Sequence, residues 1–523
     1  MKRENCLVKS IERNALLITT LLIDAFSAGC SSDKATERSA DGDSYNEDDS
    51  GWDYDDFHNG NSGPVSDVTE VNGIQYHPSS ADVACDTVND TRFTLYPQNA
   101  NSTAGPVIAR ALINDSEWVT IPIRTSEFLS YYSPASLFDS STDLSVSAGI
   151  SAVHESDEEP LYNLYVALSA KPIDDSTRRA INLALLVDTT ISMENSVDLT
   201  KSIARKIVAE LTEKDTIAIT TFNTQQPVVL SPAVPGSEKI NEAIQRLAVS
   251  EETDFAVGLD SAYRVLAENV APEKDQSHHI ALISNGEFEI GITHNDAITE
   301  AAEDDQLPIR LSAIGVSDSP ATYNASLMKN VSEAGLGVHV FVDTSTEIRR
   351  LFGNNLAAMT ELAAKSVDIS LTMPPAFEVV EAPPNDTEHN VDKDIRQWPL
   401  STDRVMIMRH QATVCDDAAT ASVKNIIVSA SYDDAKTQTS ETRNFSVPLQ
   451  SLLETEDEAL TKIEAVASYA ETLKAVKVLT ASQSLSRIDT TLEMVADALE
   501  VIPGDSDLEE IQTLLDTYRE MFE

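Results

Sequence analysis

The sequence predicts an α/β fold in which a doubly wound, mostly parallel sheet is covered by helices on both faces. Segments typical of strands and of helices alternate between residues 181 and 363, an order that indicates parallel strands joined by crossover helices. The runs Ile181–Val187 and Thr216–Phe222 are rich in apolar and β-branched residues, as expected of strands buried on both faces. Between them, Ile203, Ile207 and Leu211 recur at steps of four and share one helix face.

Six strands and six helices are predicted in this segment. The strands are Ile181–Val187, Thr216–Phe222, Val228–Leu230, His279–Ser284, Ile309–Val316 and Val338–Val342. The helices are Ser196–Leu211, Ser237–Leu247, Ala256–Asn269, Asn295–Asp304, Asn324–Ala334 and Thr346–Leu362. The neighbouring residues His278 and His279 are predicted to lie at the surface, where they cannot easily share a metal ion because adjacent strand residues point to opposite faces.

The segments on either side of this sheet have other patterns. Residues 85–180 combine candidate strands with two short candidate helices, which predicts a small α+β extension. Alternating apolar positions over residues 364–450 indicate a β-sandwich-like module. Residues 451–523 form a predicted helical region, because Ile463, Val466 and Ala470 make an apolar stripe.

The composition is strongly acidic. The chain of 523 residues has 86 Asp and Glu against 37 Lys and Arg, a formal net charge of -49. This balance argues against nucleic acid as a partner, because phosphate backbones are bound by Lys and Arg. Residues 31–84 combine many acidic residues with Ser, Gly and Asn, which predicts a disordered acidic tether.

The N-terminal segment has the features of a secretory signal. Basic residues at positions 2 and 3 precede the apolar run Ala15–Ile23, and residues 1–30 end in Ser27-Ala-Gly-Cys30. The small residues before the cysteine resemble a bacterial lipoprotein box, which implies lipidation of Cys30 and a membrane anchor in the bacterial cell envelope, facing the periplasm or the outside. A signal cleaved without lipidation and a retained anchor are the alternatives. If Cys30 is lipidated, Cys85 and Cys415 are the thiols left in the mature chain, either as a disulfide or as two separate buried thiols.

The first strand of the predicted sheet is followed by a cluster of oxygen-bearing side chains. Asp188, Thr190 and Ser192 come directly after it, at the carboxyl end where open α/β sheets bind ligands. One carboxylate and two hydroxyls are oxygen ligands of the kind that Mg²⁺ requires. The alternative reading of Asp188 is an ordinary helix cap.

This pattern resembles the Asp-x-Ser-x-Ser signature of von Willebrand factor type A domains, with Thr190 in place of the first Ser. The resemblance implies a doubly wound, Rossmann-like fold and a metal-ion-dependent adhesion site for Mg²⁺, or for Mn²⁺ or Ca²⁺. Thr253 matches the third hydroxyl ligand of the family. Asn285 stands where the family has Asp. The set of metal ligands implied is Asp188, Thr190, Ser192, Thr253 and Asn285.

The Asn at position 285 affects how strongly the site is expected to bind a cation. An amide keeps one oxygen as a possible ligand and removes one negative charge, so weaker cation binding is expected and Asp188 carries the one formal charge among the five positions. Nearby acidic residues could compensate, and an acidic side chain of a protein ligand could complete the metal shell. A degenerate site that binds no metal is the alternative.

The flanking segments resemble those of bacterial secreted type A proteins, which carry an N-terminal extension and a C-terminal domain of unknown function. That group is assigned to adhesion or assembly on the envelope, so the expected function is protein binding, with an inert structural envelope protein as the alternative. We expect no enzymatic activity, since the sequence has no Gly-x-Gly-x-x-Gly after the first strand, no phosphate-binding Gly-Lys-Ser/Thr loop and no Gly-x-Ser-x-Gly. A hydrolase is the third hypothesis.

Overall fold

A computed structural model describes thirteen segments of the chain. They are residues 69–71, 74–76, 91–95, 100–137, 142–154, 161–174, 176–270, 275–353, 356–374, 377–380, 399–414, 425–454 and 457–523. Cys30, Cys85 and Cys415 lie outside them, as do the signal and most of the tether, so the lipidation and disulfide hypotheses stay predictions. Within the described residues, every helix is too short or too polar to span a lipid bilayer.

The described residues form seventeen strands. They are β1 Thr69–Val71, β2 Ile74–Tyr76, β3 Thr91–Leu95, β4 Leu144–His154, β5 Leu161–Ala170, β6 Ala180–Val187, β7 Thr216–Thr221, β8 Val228–Ala233, β9 Gln276–Ser284, β10 Ile309–Val316, β11 Leu336–Val342, β12 Leu362–Met373, β13 Phe377–Val380, β14 Leu400–Ser401, β15 Val405–Val414, β16 Asn425–Asp434 and β17 Ser440–Pro448.

Thirteen α-helices accompany these strands in the described part of the chain. They are α1 Ala104–Asn114, α2 Thr125–Tyr131, α3 Val197–Glu210, α4 Glu238–Arg246, α5 Phe255–Ala267, α6 Ile292–Glu303, α7 Ala325–Ala334, α8 Ser345–Phe352, α9 Ala357–Thr360, α10 Leu449–Glu454, α11 Glu458–Ala475, α12 Ala481–Val501 and α13 Ser506–Glu520.

The central sheet has six strands in the order β11-β10-β9-β6-β7-β8. All neighbouring pairs are parallel except β7 with β8, which is antiparallel. Every residue of β6 is buried, as its apolar sequence predicts. The doubly wound, mostly parallel sheet predicted from the sequence is therefore confirmed. The chain leaves β6 toward β7 on one side and returns to β9 on the other, so β6 and β9 flank the topological switch point.

Helices cover both faces of this sheet. Ile203 of α3, Ile240 of α4 and Ile348 of α8 belong to the apolar core on one face. Leu259 of α5, Ile298 of α6 and Met328 of α7 belong to the core on the other. The alternation along β6 explains this division, because Leu183 and Leu185 lie in the first core and Ala184 and Leu186 in the second.

A buried ion pair links two strands at the amino end of the sheet, where the parallel strands begin. Arg178 donates from Nη1 and Nη2 to the two carboxylate oxygens of Asp215, at 2.8 and 2.7 Å, and both side chains are fully buried. Asp215 also accepts the N–H groups of Ile181 at 2.8 Å and Thr212 at 2.6 Å. Burial by itself would raise the pKa of Asp215, but these hydrogen bonds outweigh it and lower the pKa. One carboxylate therefore fixes the starts of both β6 and β7.

Residues of the N-terminal extension close one edge of the sheet. The N–H of Thr103 donates to the carbonyl of His339 in β11, and the N–H of His339 donates to the carbonyl of Asn101, each at 2.9 Å. The buried His339 ring lies between Ser102 Oγ at 3.2 Å and Tyr323 Oη at 2.7 Å. The middle of this edge strand is therefore paired at His339, which limits its pairing with another chain.

Two further sheets form a sandwich from distant parts of the chain. One sheet has the order β14-β12-β16-β17, with β3 also paired to β12, and the other has the order β13-β15-β5-β4. Strands from the predicted extension thus pair with strands from the predicted β-rich module, around an apolar core that includes Val166, Leu371 and Met406. The residue boundaries predicted for the individual domains stay predictions.

Helix α11 packs against the outer side of the four-stranded sheet and against α2, α13 packs against α1, and α12 packs against α11 and α13. Two details of the sequence prediction are wrong. The helix expected over Thr346–Leu362 is divided into α8 and α9, with Gly353 just after α8. His278 and His279 are buried, with 8% and 0% of their surfaces exposed, because β9 is an interior strand from its first residues onward.

Candidate functional site

The oxygen-bearing residues predicted from the sequence lie at the carboxyl end of the central sheet. Asp188 follows β6 and Asn285 follows β9, so they lie on either side of the switch point, where open α/β sheets bind ligands. The N–H of Asp188 donates to the carbonyl of Ile283 at 2.9 Å, which continues the pairing of the two strands up to the site.

Asp188 is a buried carboxylate without a described cationic partner. Only 2% of its surface is exposed. Its Oδ2 accepts the hydroxyl of Ser284 at 2.5 Å, and its Oδ1 accepts the N–H of Thr190 at 2.8 Å. No described Lys, Arg or His forms an ion pair with it. Burial raises the pKa of Asp188 and the charge of Glu287 adds to this, against the opposing effect of the hydrogen bonds.

Thr190 and Ser192 place two hydroxyl oxygens side by side. Their Oγ1 and Oγ atoms are 2.8 Å apart, the distance of a hydrogen bond. Adjacent oxygens in an octahedral Mg²⁺ shell are about 2.9 Å apart, since each metal–oxygen distance is about 2.0–2.1 Å. The pair therefore has the spacing of two neighbouring Mg²⁺ ligands. The loop is anchored by Met193, which is buried, whereas Ile191 is 58% exposed beside the site.

Thr253 is brought to the same end of the sheet by backbone contacts. It bridges to Asn223, which follows β7, and the next residue, Asp254, donates its N–H to the carbonyl of Phe222 at 2.8 Å. Asp254 caps α5, since its Oδ1 accepts the N–H groups of residues 256 and 257. The hydroxyl of Thr253 is thus not the helix cap. The same loop contacts the loop that follows β6 through the N–H of Ser250, which donates to the carbonyl of Thr189.

Asn285 lies in a tight turn after β9 and is 3% exposed. Its Oδ1 accepts the N–H of Glu287, and its carbonyl accepts the N–H of Asn324, each at 3.0 Å. Gly286 has φ +77°, and a Cβ there would lie 2.9 Å from Cβ of Asn324. The turn therefore requires glycine at position 286. The side-chain oxygen of Asn285 already accepts one hydrogen bond.

Ser284 is a residue of the site that the sequence reasoning missed. Its hydroxyl donates to Asp188 and accepts the N–H of Gly286 at 2.9 Å, so it ties the β6 and β9 loops together. A fully buried Ser at the last position of an interior strand, directly before the motif residue Asn285, was the available signal, because a buried hydroxyl requires a partner.

Three aromatic rings pack together next to the loops of the site. Phe255 and Phe288 stack with ring centroids 4.5 Å apart, and Phe222 meets them edge-on at 5.5 and 5.4 Å. Phe255 follows the Thr253 loop, Phe288 follows the Asn285 turn and Phe222 follows β7, so this cluster links the two loops to the end of β7.

The donor set fits a hard divalent cation. The described residues contain no group of three or more His, Cys, Asp or Glu that could hold a metal ion, so a cation here would depend on hydroxyl and amide oxygens beside one carboxylate. The uncompensated buried charge of Asp188 and the paired hydroxyls suit Mg²⁺ better than a soft metal. The structure brings Asp188, Thr190, Ser192 and Asn285 to one end of the sheet, and backbone contacts bring Thr253 there. Their roles as ligands stay predictions.

The family comparison matches the same part of the chain. The model of the von Willebrand factor type A domain matches residues 183–287, which run from the first strand of the central sheet to the Asn285 turn. Together with the sheet topology, this match defines a protein with a von Willebrand factor type A domain. Such a domain is in general a protein-interaction module.

The curated relatives are bacterial. The Uncharacterized protein YfbK of Escherichia coli (strain K12) is 30% identical over 219 residues, which are 41% of this chain and 37% of that protein. The Uncharacterized protein sll0103 of Synechocystis sp. is 24% identical over 217 residues, 40% of this chain and 49% of that protein. The chain thus matches less than half the length of either relative.

Solved structures show weaker similarity. The ArnB paralog VWA2 from Sulfolobus acidocaldarius has a TM-score of 0.36 at 15% identity, with 73% of this chain and 98% of that chain covered. The protein BatB from Bacteroides thetaiotaomicron has a TM-score of 0.27 at 17% identity, over 34% of this chain and 97% of that chain.

Proposed function

We propose that this chain is a non-enzymatic binding protein of the bacterial envelope that holds a protein partner through a divalent cation at the Asp188 site. The single observation that carries the proposal is the buried carboxylate of Asp188, which has no described cationic partner and stands at the switch point of the sheet. A cation there would offset the cost of burying that charge. The lipobox-like segment ending at Cys30 supports a membrane-anchored position in the envelope.

Each residue of the site would have a separate role in binding the cation. Asp188 supplies the negative charge, while Ser284 and the N–H of Thr190 fix the orientation of its carboxylate. Thr190 and Ser192 would supply neighbouring neutral ligands, and Thr253 and Asn285 would approach from the other loops. A cation held mainly by neutral groups keeps most of its positive charge, so it would attract an acidic side chain of the partner.

Calorimetry of the full-length chain with Mg²⁺, Mn²⁺ and Ca²⁺ tests the cation site. We expect saturable binding that Asp188→Ala abolishes. Asp198→Ala is the matched control, because Asp198 is an exposed acid in the first turn of α3. No heat at millimolar metal in the unmodified chain would refute the cation site.

Partner binding is tested by capture from envelope extract with and without EDTA. We expect capture that is lost with EDTA and lost in Asp188→Ala but kept in Asp198→Ala. Capture that ignores both EDTA and the substitution would exclude a binding role for the site. Turnover of generic ester or peptide substrates that Asp188→Ala abolishes would contradict the non-enzymatic assignment.

The second candidate is a structural envelope protein with an inert site. The observation that favours it is Asn285, which removes a charge and already uses its Oδ1 for the N–H of Glu287. Absence of metal binding together with unchanged folding of Asp188→Asn would support this candidate.

A further inference from the structure

Arg310 has a buried side chain whose Nε lacks a hydrogen-bond acceptor, and it lies at the amino end of the sheet, opposite the end that carries Asp188. It is the second residue of β10 and is 6% exposed. Its Nε is buried without an acceptor. Among the described residues, no acceptor forms a hydrogen bond or an ion pair with the Arg310 side chain.

His279 presents a second unpartnered group beside it. Arg310 and His279 are register partners on the parallel strands β10 and β9, so their side chains lie on the same face of the sheet. His279 is fully buried, and its Nδ1 has no described partner. Its Nε2 is 2.8 Å from Oγ of Ser312, which also accepts the N–H of Val338 at 3.0 Å. The single hydroxyl proton of Ser312 goes either to Nε2 of His279 or to the carbonyl of Met359 at 3.3 Å, and the N–H of His279 is on Nδ1 in the first arrangement.

The charges around Arg310 leave a positive excess. Arg179 donates to Oε2 of Glu361 from Nη2 at 2.5 Å and from Nε at 3.1 Å, and Glu361 forms no ion pair with Arg310. Its other oxygen, Oε1, is buried without a described donor. The carboxylate of Glu361 is thus used by Arg179 and not by Arg310, while the nearby charge of Lys365 is opposed by Asp305 and Asp433. Burial lowers the pKa of Arg310 to about 10, with the charge of Arg179 acting in the same direction and that of Glu361 against it.

A buried, unpaired guanidinium is costly to fold, so such groups acquire a counter-ion or a hydrogen-bond acceptor. We propose that Arg310, with Arg179 and the Nδ1 side of His279, forms a site for a small monovalent anion such as chloride. One negative charge would balance the excess positive charge around Arg310. Chloride accepts hydrogen bonds and donates none, so it suits the N–H groups of Arg310 and His279. The chain as a whole repels anions because its net charge is -49, so anion binding beside Arg310 depends on these local groups. It does not depend on the Asp188 site.

Thermal unfolding of the full-length chain in chloride, against gluconate at the same ionic strength, is the solution test. We expect the midpoint to rise with chloride by on the order of 2 °C at ten times the dissociation constant. Arg310→Met should remove this chloride dependence. Arg205→Met is the matched control, because Arg205 lies exposed on α3, and it should keep the dependence.

Bromide-soaked crystals of the unmodified chain give a readout that does not require the variant to fold. An anomalous peak within hydrogen-bond distance of Nε of Arg310 is the expected result. Water at that position, a midpoint indifferent to the anion, or a chloride shift that Arg310→Met retains would each overturn the proposal.

Discussion

Removing the carboxylate of Asp215 should weaken the sheet far from the candidate metal site. Asp215→Ala leaves the buried guanidinium of Arg178 without its carboxylate, although Nη1 still donates to the carbonyl of Arg179 at 3.0 Å, and it takes away the acceptor of the Ile181 and Thr212 N–H groups. Breaking one partner of a buried pair costs about 3–5 kcal/mol. We therefore expect the opening free energy of β6 and β7 to fall by about that amount.

The double variant Arg178→Met, Asp215→Leu should recover part of the loss. It leaves no unpaired charge, and apolar replacement of a buried pair is often neutral. Two backbone N–H groups remain without an acceptor, at about 1 kcal/mol each, so a loss of about 2 kcal/mol is expected. The recovery is the signature of a charge left unpaired, since a simple loss of packing would not be repaired by a second substitution.

Hydrogen exchange of peptides from β6 and β7, resolved by mass spectrometry, measures these local opening free energies in a chain with several packed parts. Glu210→Ala is the control, because it breaks the partly exposed Lys206–Glu210 pair on α3, which is worth about 0.5 kcal/mol at most. An Asp215→Ala loss no larger than the control, or a double variant as unstable as the single one, would refute the reasoning.

Three further predictions concern the site and its surroundings. Asn285→Asp returns a formal charge to the motif and should tighten Mg²⁺ binding in calorimetry by about tenfold, or 1.4 kcal/mol. Gly286→Ala forces a Cβ against Asn324 at a positive φ, so a stability loss of about 1–3 kcal/mol is expected in thermal unfolding. Burial first, and then the charges of Lys329 and Arg124, lower the pKa of His339 to about 3. The stability that the neutral ring contributes is therefore present above about pH 6.5 and falls as the pH is lowered, by about 2 kcal/mol at about pH 5. His339→Gln should flatten the acid side of a plot of stability against pH.

Each of these has an outcome against it. Equal Mg²⁺ affinity in Asn285→Asp and the unmodified chain would mean that position 285 does not face the cation. An unchanged unfolding midpoint in Gly286→Ala would show that the turn can relax. For the histidine, the decisive comparison is the slope between about pH 5 and 6.5: identical slopes in the variant and the unmodified chain would remove His339 from the explanation.

The central sheet could be predicted from the sequence because its signals are local. A strand that is buried on both faces has a continuous apolar run in its sequence, as in Ile181–Val187. An amphipathic helix has apolar residues at steps of three or four, as in Ile203 and Ile207. The positions of Asp188 and Asn285 followed from the rule that ligands bind beyond the carboxyl ends of the strands. Their local hydrogen bonds did not follow, since Ser284 acts on Asp188 from a strand almost a hundred residues away.

The sandwich was harder to predict because its pairing is not local. β17 is a mostly exposed strand of polar residues, Ser440–Pro448, without a clear alternation. β3 pairs with β12 across more than 270 residues, and no short-range pattern reports such a contact. The burial of His278 and His279 depends likewise on what covers the start of β9, which is chosen by the packing of other elements.

The sandwich also decides how mechanical load passes through the molecule. Its strands come from both before and after the central sheet, so the type A domain is joined to it by two covalent connections, between β5 and β6 and between α9 and β12. A pull on Asp188 from a bound partner, resisted on the N-terminal side, divides between these two connections. Neither connection therefore bears alone the tension that the single linker of a terminal domain would bear, and both enter at the end of the sheet where Arg178 and Asp215 form their ion pair.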